Sequence, residues 1–236
     1  AKACLEAGKH VLLEKPMALT VDEARELTTL AEKRGLKLAI GFHLRSHNGH
    51  IELRKKIESG VLGNLRHIRA IWAFSSYDDS NWRANEKMTK WWSLSAVGAH
   101  CLDQARWFAN DMKEYKQFTA VTANNTWNGP HDETAIISGQ FSSGVTLEVT
   151  SSVQFGPYNR LELFGDKGFA VCSGTFGREG MGRITIDEKI MEYVPINPFT
   201  SQLQNVVQSI LSEEVLRSDG NAGLRSVEDL IAAIRS

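Results

Sequence analysis

The 236 residues carry 27 lysines and arginines against 28 aspartates and glutamates, a formal net charge of −1 that offers no footprint for nucleic acid or an anionic membrane surface. With 42% hydrophobic and 23% charged residues, the composition is that of an ordinary globular chain, long enough for one large domain or one domain with part of another. Cys4, Cys101 and Cys172 are too few and too widely spaced for a disulfide framework, which favours a reducing, cytoplasmic setting, and neither a membrane span of roughly 20 apolar residues nor a signal peptide is visible.

Lys2 to Ala7 reads as a helix closed by Gly8, and Val11 to Leu13 as a short buried strand cut off by Glu14-Lys15-Pro16. A lysine at the carboxyl end of such a strand points toward the crevice where open α/β sheets bind ligands, although a plain surface lysine has the same signature. Thr20 with Glu23 forms a capping box for a helix that buries Val21, Ala24, Leu27, Leu30 and Ala31 and ends near Gly35. Residues 36–42 follow as a second buried strand. Helix, strand, helix, strand with short links is the pattern of a doubly wound parallel sheet.

No Gly-x-Gly-x-x-Gly precedes the first strand. The chain lacks the glycine fingerprint that holds a pyrophosphate on a helix N-terminus, so this polypeptide alone is expected to bind a dinucleotide poorly. The cluster Gly174, Gly177, Gly180 and Gly182 has no helix after it and reads as a loop.

A helix is predicted over 49–59, with Ile51, Leu53 and Ile57 apolar and Gly60 as its stop. His43, His47 and His50, spaced four and three apart, invite a metal reading, but no Cys, Asp or Glu lies close enough to complete a site, so polar loop or cleft residues and no metal are expected. Arg45 is the better functional candidate, because a guanidinium at a cleft grips hydroxyl or carboxylate groups. Ile68, Ala70, Trp72 and Phe74 alternate as in a half-buried strand. The long connection over 75–95 holds Trp82, Trp91 and Trp92 beside Asn81, Arg83 and Lys90, which suits the faces and hydroxyls of a sugar or polyol, or else a tryptophan-anchored lid or subunit contact.

Residues 95–110 read as a helix in which Ala96, His100 and Asp103 share a face continued by Trp107. Strand-like segments then run over 118–127, 133–141, 145–153, 160–164, 168–172, 184–187 and 190–194, with turns at 142–144, 165–167 and 188–189. Helices are predicted over 199–217 and 226–235, the last capped by Ser226 and Asp229. Successive hairpins make a large, mostly antiparallel sheet with helices on one face.

Several of these stretches, taken together and in order, carry a resemblance: Ala7-Gly8-Lys9-His10-Val11, Glu14-Lys15-Pro16-Met17-Ala18, Glu58-Ser59-Gly60-Val61-Leu62-Gly63, Asn81-Trp82-Arg83, Gly98-Ala99-His100-Cys101-Leu102-Asp103, Phe164-Gly165-Asp166-Lys167-Gly168 and Gly223-Leu224-Arg225-Ser226. The chain resembles the glucose–fructose oxidoreductase / inositol dehydrogenase / MocA-like family of NAD(P)-dependent enzymes. The resemblance implies an α/β and α+β architecture: residues 1–43 as the C-terminal remnant of a Rossmann-type parallel sheet, and residues 44–236 as a substrate-binding and oligomerisation domain with a large open sheet flanked by helices. It implies hydride transfer between NAD or NADP and a CH–OH carbon of a sugar, polyol or related small molecule. Lys15 and His100 are the implied catalytic residues, His100 as general base and Lys15 as the charge that favours the alkoxide. Glu14, Lys15 and Pro16 would lie at the cofactor, with the Lys15–Pro16 bond often cis in the family. Arg45, Trp82, Arg83, Trp92 and Asp103 are placed on the substrate side, although Asp103 also suits a structural role.

One departure stands out. The family usually has an aspartate four residues before the histidine, where this chain has Ala96; a carboxylate there would orient the imidazole and raise its basicity. The resemblance further implies a homodimer or homotetramer through the open sheet face. Two other readings remain open at this point: a non-catalytic ligand-sensing or oligomerisation module, and a metal-dependent sugar isomerase resting only on the histidine spacing.

Overall fold

The first strand is short because only seven residues separate the glycine that ends the first helix from a proline. In the computed structural model, which describes residues 1–212 and 214–235, helix α1 (Lys2–Glu6) gives way to Gly8 at a φ of 71°, and β1 (Val11–Leu13) runs into a cis Lys15–Pro16 bond. Helix α2 (Val21–Lys33) opens on the expected capping box: Glu23 N–H donates to Thr20 Oγ1 at 3.2 Å, and Thr20 N–H donates to the Glu23 carboxylate at 3.0 Å. Thr20→Ala is expected to cost about 1 kcal/mol, read as a lower urea midpoint at unchanged slope. β2 (Leu38–Ile40) pairs parallel to β1, Leu12 opposite Ala39, so both strands deliver their carboxyl ends to one edge.

A 3₁₀ turn, His43–Ser46, leads from β2 into α3 (Asn48–Glu58), capped by His47, whose Nδ1 accepts from His50 N–H at 3.3 Å. The large sheet begins with β3 (Leu65–Ser75). After α4 (Ala99–Ala109) come β4 (Gln117–Ala123), β5 (Thr134–Gln140), β6 (Thr146–Ser152), β7 (Gln154–Gly165), β8 (Phe169–Ser173), β9 (Arg183–Ile186) and β10 (Lys189–Ile190). Their spatial order is β10-β9-β8-β7-β3-β6-β5-β4, antiparallel throughout except for β3 against β6. The period of two sorts the faces: Ile68, Ala70, Leu147 and Val149 are buried under the helices, while Arg69 and Glu148 between them face outward. Helices α5 (Pro198–Leu211) and α6 (Gly220–Arg235) close the chain.

The departures from the sequence reading have local causes. The strand expected over 118–127 stops at Ala123 because the backbone N–H groups of Thr126 and Trp127 turn to the Glu133 carboxylate, at 2.9 and 2.8 Å. Helix α5 ends at Leu211 rather than 217, and Arg217 N–H instead donates to the Asn205 side chain at 2.9 Å. Helix α6 starts six residues before the expected cap. Ser226 lies inside it, and Asp229 points inward to Arg106 at 2.6 and 2.7 Å; Asp219 Oδ1 takes Ala222 N–H at 3.0 Å instead. Glycines hide that start from a propensity argument, yet Gly223 is needed there: a Cβ would come within 2.5 Å of Met17 Sδ and 2.8 Å of Ile40 Cγ1. The β9–β10 turn is Asp187-Glu188, both at positive φ, one residue earlier than expected. The helix expected from residue 95 opens with a π turn, Leu94–Gly98, before α4 proper.

A single hydrophobic cluster runs across residue 43, joining Ile40 and Phe42 to Trp91, Leu102 and Leu230. On the outer sheet face Val121 and Ile136 are exposed beside the loose Arg69–Glu148 pair at 3.6 Å. Among the described residues no helix is long and apolar enough to cross a membrane.

Candidate active site

Lysine at a strand end becomes a site only if something holds it. Lys15 reaches from the end of β1 to the π turn, where its Nζ donates to the carbonyls of Ser95 at 2.7 Å and Ala96 at 2.8 Å. The turn is itself pinned from the β4–β5 connection. Asp132 accepts from Trp92 N–H at 3.0 Å, Leu94 N–H at 2.7 Å and Ser93 Oγ at 2.6 Å. Wide turns of this kind leave carbonyls outside the regular helical ladder and recur at functional sites. Lys15 is only 8% exposed, and burial, reinforced by the Arg83 charge and only partly countered by Glu14, lowers its pKa to about 7.

His100, in the first turn of α4, faces the same space. Its ring lies 4.9 Å from that of His43, 5.4 Å from Trp72 and 5.8 Å from Phe42, and its Nδ1 is buried without a partner among the described residues. Burial, with Lys15 next, holds its pKa well below the usual imidazole range, so the ring is neutral. Lys15 and His100 share a cleft of about 870 Å³, within the range of small-molecule sites, with Glu14, Gly41, His43, Trp72, Arg83 and Phe199 among its walls.

The other expected residues divide. Arg83 lines the cleft with its guanidinium 4.2 Å above the Trp82 ring, and its Nε is buried without a partner among the described residues. Trp82 is 48% exposed and outside the cleft wall. Trp92 is 2% exposed, packed 4.8 Å from Trp127 and away from the cleft. Arg45 and Asp103, expected on the substrate side, meet each other. Arg45 donates to the Asp103 carboxylate from Nε at 3.0 and 3.1 Å and from Nη2 at 2.7 Å, and from Nη1 to Arg217 O at 2.9 Å. Neither residue lines the cleft, and the pair ties the 3₁₀ turn and α4 to the chain before α6. Glu14 lines the cleft, whereas Pro16 does not.

The three spaced histidines part company. His47 caps α3 and contacts Met181 O at 3.3 Å, His50 lies between Leu44 O at 3.3 Å and Thr175 Oγ1 at 2.9 Å, and His43 turns to His100. Among the described residues no group of three His, Cys, Asp or Glu could hold a metal ion. Trp72 and Phe199 are wall residues that sequence reasoning passed over, whereas His43 was among the residues it expected in a loop or cleft. His43 follows β2 just as Lys15 follows β1, so the strand-end rule that flagged the lysine also reaches it; Phe199, at the start of α5, carried no such signal.

The edge where β1 and β2 end suits the nicotinamide end of a dinucleotide, since ligands of open α/β sheets sit outside the carboxyl ends of the strands. Gly41 keeps that edge open, as a Cβ there would lie 3.2 Å from Glu14 Oε2.

Known proteins resemble this chain in sequence and in overall fold. The profile of the GFO/IDH/MocA C-terminal domain matches residues 50–171, and that of an oxidoreductase family with an NAD-binding Rossmann fold matches residues 1–42. D-glucoside 3-dehydrogenase of Escherichia coli is 35% identical over 161 residues, 67% of this chain and 43% of that protein. 1,5-Anhydro-D-fructose reductase of Ensifer adhaerens is 24% identical over 245 residues, 99% of this chain and 72% of the relative. The crystal structure of aldose-aldose oxidoreductase from Caulobacter crescentus, complexed with glycerol, superposes with a TM-score of 0.89 at 26% identity, covering 98% of this chain and 71% of that one. The chain spans about half the length of several curated relatives it matches.

Proposed function

This chain belongs to the GFO/IDH/MocA family of NAD(P)-dependent oxidoreductases, and from that premise we propose that it oxidises or reduces a CH–OH carbon of a sugar or polyol in the cleft between Lys15 and His100. The observation that carries the reading is the Lys15 nitrogen. Two carbonyls take two of its N–H bonds. On a neutral amine the remaining direction is a lone pair; on an ammonium it is a third N–H. With a pKa of about 7 the group holds either state near neutrality, which is where an acid–base catalyst works best.

Lys15 therefore takes the hydroxyl proton in oxidation and returns it in reduction. His100, neutral, donates a hydrogen bond to the same oxygen and fixes it. This exchanges the roles that sequence reasoning gave the two residues, because burial leaves His100 too weak a base. A bound NAD or NADP supplies the hydride acceptor or donor for the carbinol carbon. Glu14 and Lys15, beside Gly41, would hold its nicotinamide end. Trp72 and Phe199 offer apolar faces to the substrate ring, and Arg83 offers donors to its hydroxyls. The division at residues 43 and 44 into cofactor and substrate parts, supported by the two profile matches, and association through the outer sheet face belong to the same proposal.

The test is turnover of a panel of aldoses, glucosides and inositols by protein expressed from its complete reading frame, with NAD and with NADP, across pH. Oxidation is expected to rise as pH passes upward through about 7, as Lys15 becomes the amine, and reduction to fall over the same interval. Nicotinamide fluorescence unchanged by the protein, with no turnover, would favour a non-catalytic ligand-sensing module.

A further inference from the structure

Position 96 leaves a chemical gap. One turn on, the Nδ1 of His100 is buried with no hydrogen-bond partner among the described residues, and an alanine side chain cannot supply one. A neutral imidazole carries one donor and one acceptor nitrogen, and which is which is set by the bond the other nitrogen makes. Without that bond the ring has no fixed tautomer to offer a substrate.

His43 has the complementary defect. It is 5% exposed, as is His100, and its Nε2 is also buried without a partner among the described residues. The two rings meet edge to face, centroids 4.9 Å apart and planes at 79°. At that separation two ring nitrogens lying on the line between the centroids would be within hydrogen-bond distance, although the present arrangement does not make the bond. Phe199 stacks on His43 at 4.4 Å and 10°, which limits where the ring can go. Burial, and after it the Lys15 charge, lowers the pKa of His43 to about 4, so both rings are neutral near pH 7.

We propose that His43 is the positioning residue of His100: its Nε2–H donates to Nδ1 of His100 and selects the tautomer that presents Nε2–H to the substrate oxygen. The direction of the bond follows from the proposed function, on which this inference rests, because a lysine that accepts the hydroxyl proton leaves His100 to donate. A carboxylate at position 96 would accept from Nδ1 and select the opposite tautomer. The chain has thus replaced an acceptor on the same helix by a donor arriving from the end of β2.

Imidazole nitrogen NMR on the purified protein tests this without any substrate. In the wild type, His100 Nδ1 is expected at the shift of an unprotonated acceptor and Nε2 at that of a protonated nitrogen. His43→Phe keeps a ring against Phe199 but has no donor, so both His100 shifts should move toward the average of a tautomer mixture. His43→Gln, whose amide N–H can donate, should restore them, and Ala96→Asp in the His43→Phe background should move the proton to Nδ1. Turnover should fall about tenfold in His43→Phe, the loss of one hydrogen bond, with KM within about twofold, and recover in His43→Gln. His100 shifts indifferent to His43→Phe, or Phe and Gln variants that behave alike, would overturn the proposal. If the shifts respond as expected but no sugar or polyol is turned over, it is the proposed function that fails, and the imidazole pair stands.

Discussion

Lys15→Met is expected to lower turnover by at least about two orders of magnitude, the scale of losing a group that stabilises charge in the transition state, while leaving the protein folded. Methionine fills a similar volume and has neither the proton nor the lone pair. The same substitution should stabilise the fold at neutral and acid pH. The unfolded chain keeps the lysine proton up to about 10.5, whereas in the folded chain it is lost at about 7. Unfolding therefore takes up a proton between these values, and wild-type stability rises with pH across that window. The advantage of the variant should be fully present below pH 7 and shrink as pH climbs toward 10.5. A residue that costs stability where it sits and is kept there is the signature of a working group. Less than a threefold loss of turnover would remove Lys15 from the chemistry.

The second large effect concerns the buried brace. Asp103→Ala should destabilise the protein by about 3–5 kcal/mol, because it leaves the Arg45 guanidinium buried without its carboxylate. Arg45 is tied to both Asp103 and Arg217 O, so the damage should spread through the 3₁₀ turn after β2 and the chain before α6. Chemical denaturation measures the cost, and the surviving folded fraction should keep its KM. A stable variant with a KM raised tenfold would return Arg45 and Asp103 to the substrate side.

That pair shows where sequence reasoning reaches its limit. A guanidinium after a strand and a carboxylate on a helix each look available when read singly, and only the fold reveals that they satisfy one another. The same holds for Trp92, which aromatic content placed at a substrate and packing placed against Trp127. What is legible is local and periodic. The capping box at Thr20 and Glu23, the three-residue strand before Lys15 and the alternation of Ile68 and Ala70 depend on near neighbours in the chain. Lys15 is nameable from its place at a strand end, whereas His100 is nameable only through the family resemblance, because a histidine on a helix face is as often a core residue. The π turn that receives Lys15 was not legible, since it depends on Asp132 gripping Trp92, Ser93 and Leu94 from about 40 residues away. Helix α6 was cut short for a related reason: Gly220 and Gly223 weaken helix propensity, and their justification lies in packing against Thr28, Met17 and Ile40.

The ionisation of Lys15 is what the two residues' assigned roles depend on, and an NMR titration of its Cε resonance, identified by its loss in Lys15→Met, measures it directly. A midpoint near 7 is the expected result, with the amine present in the cleft at physiological pH. A midpoint near the ordinary lysine value of 10.5 would mean a permanent ammonium, and Lys15 could not be the group that takes the proton.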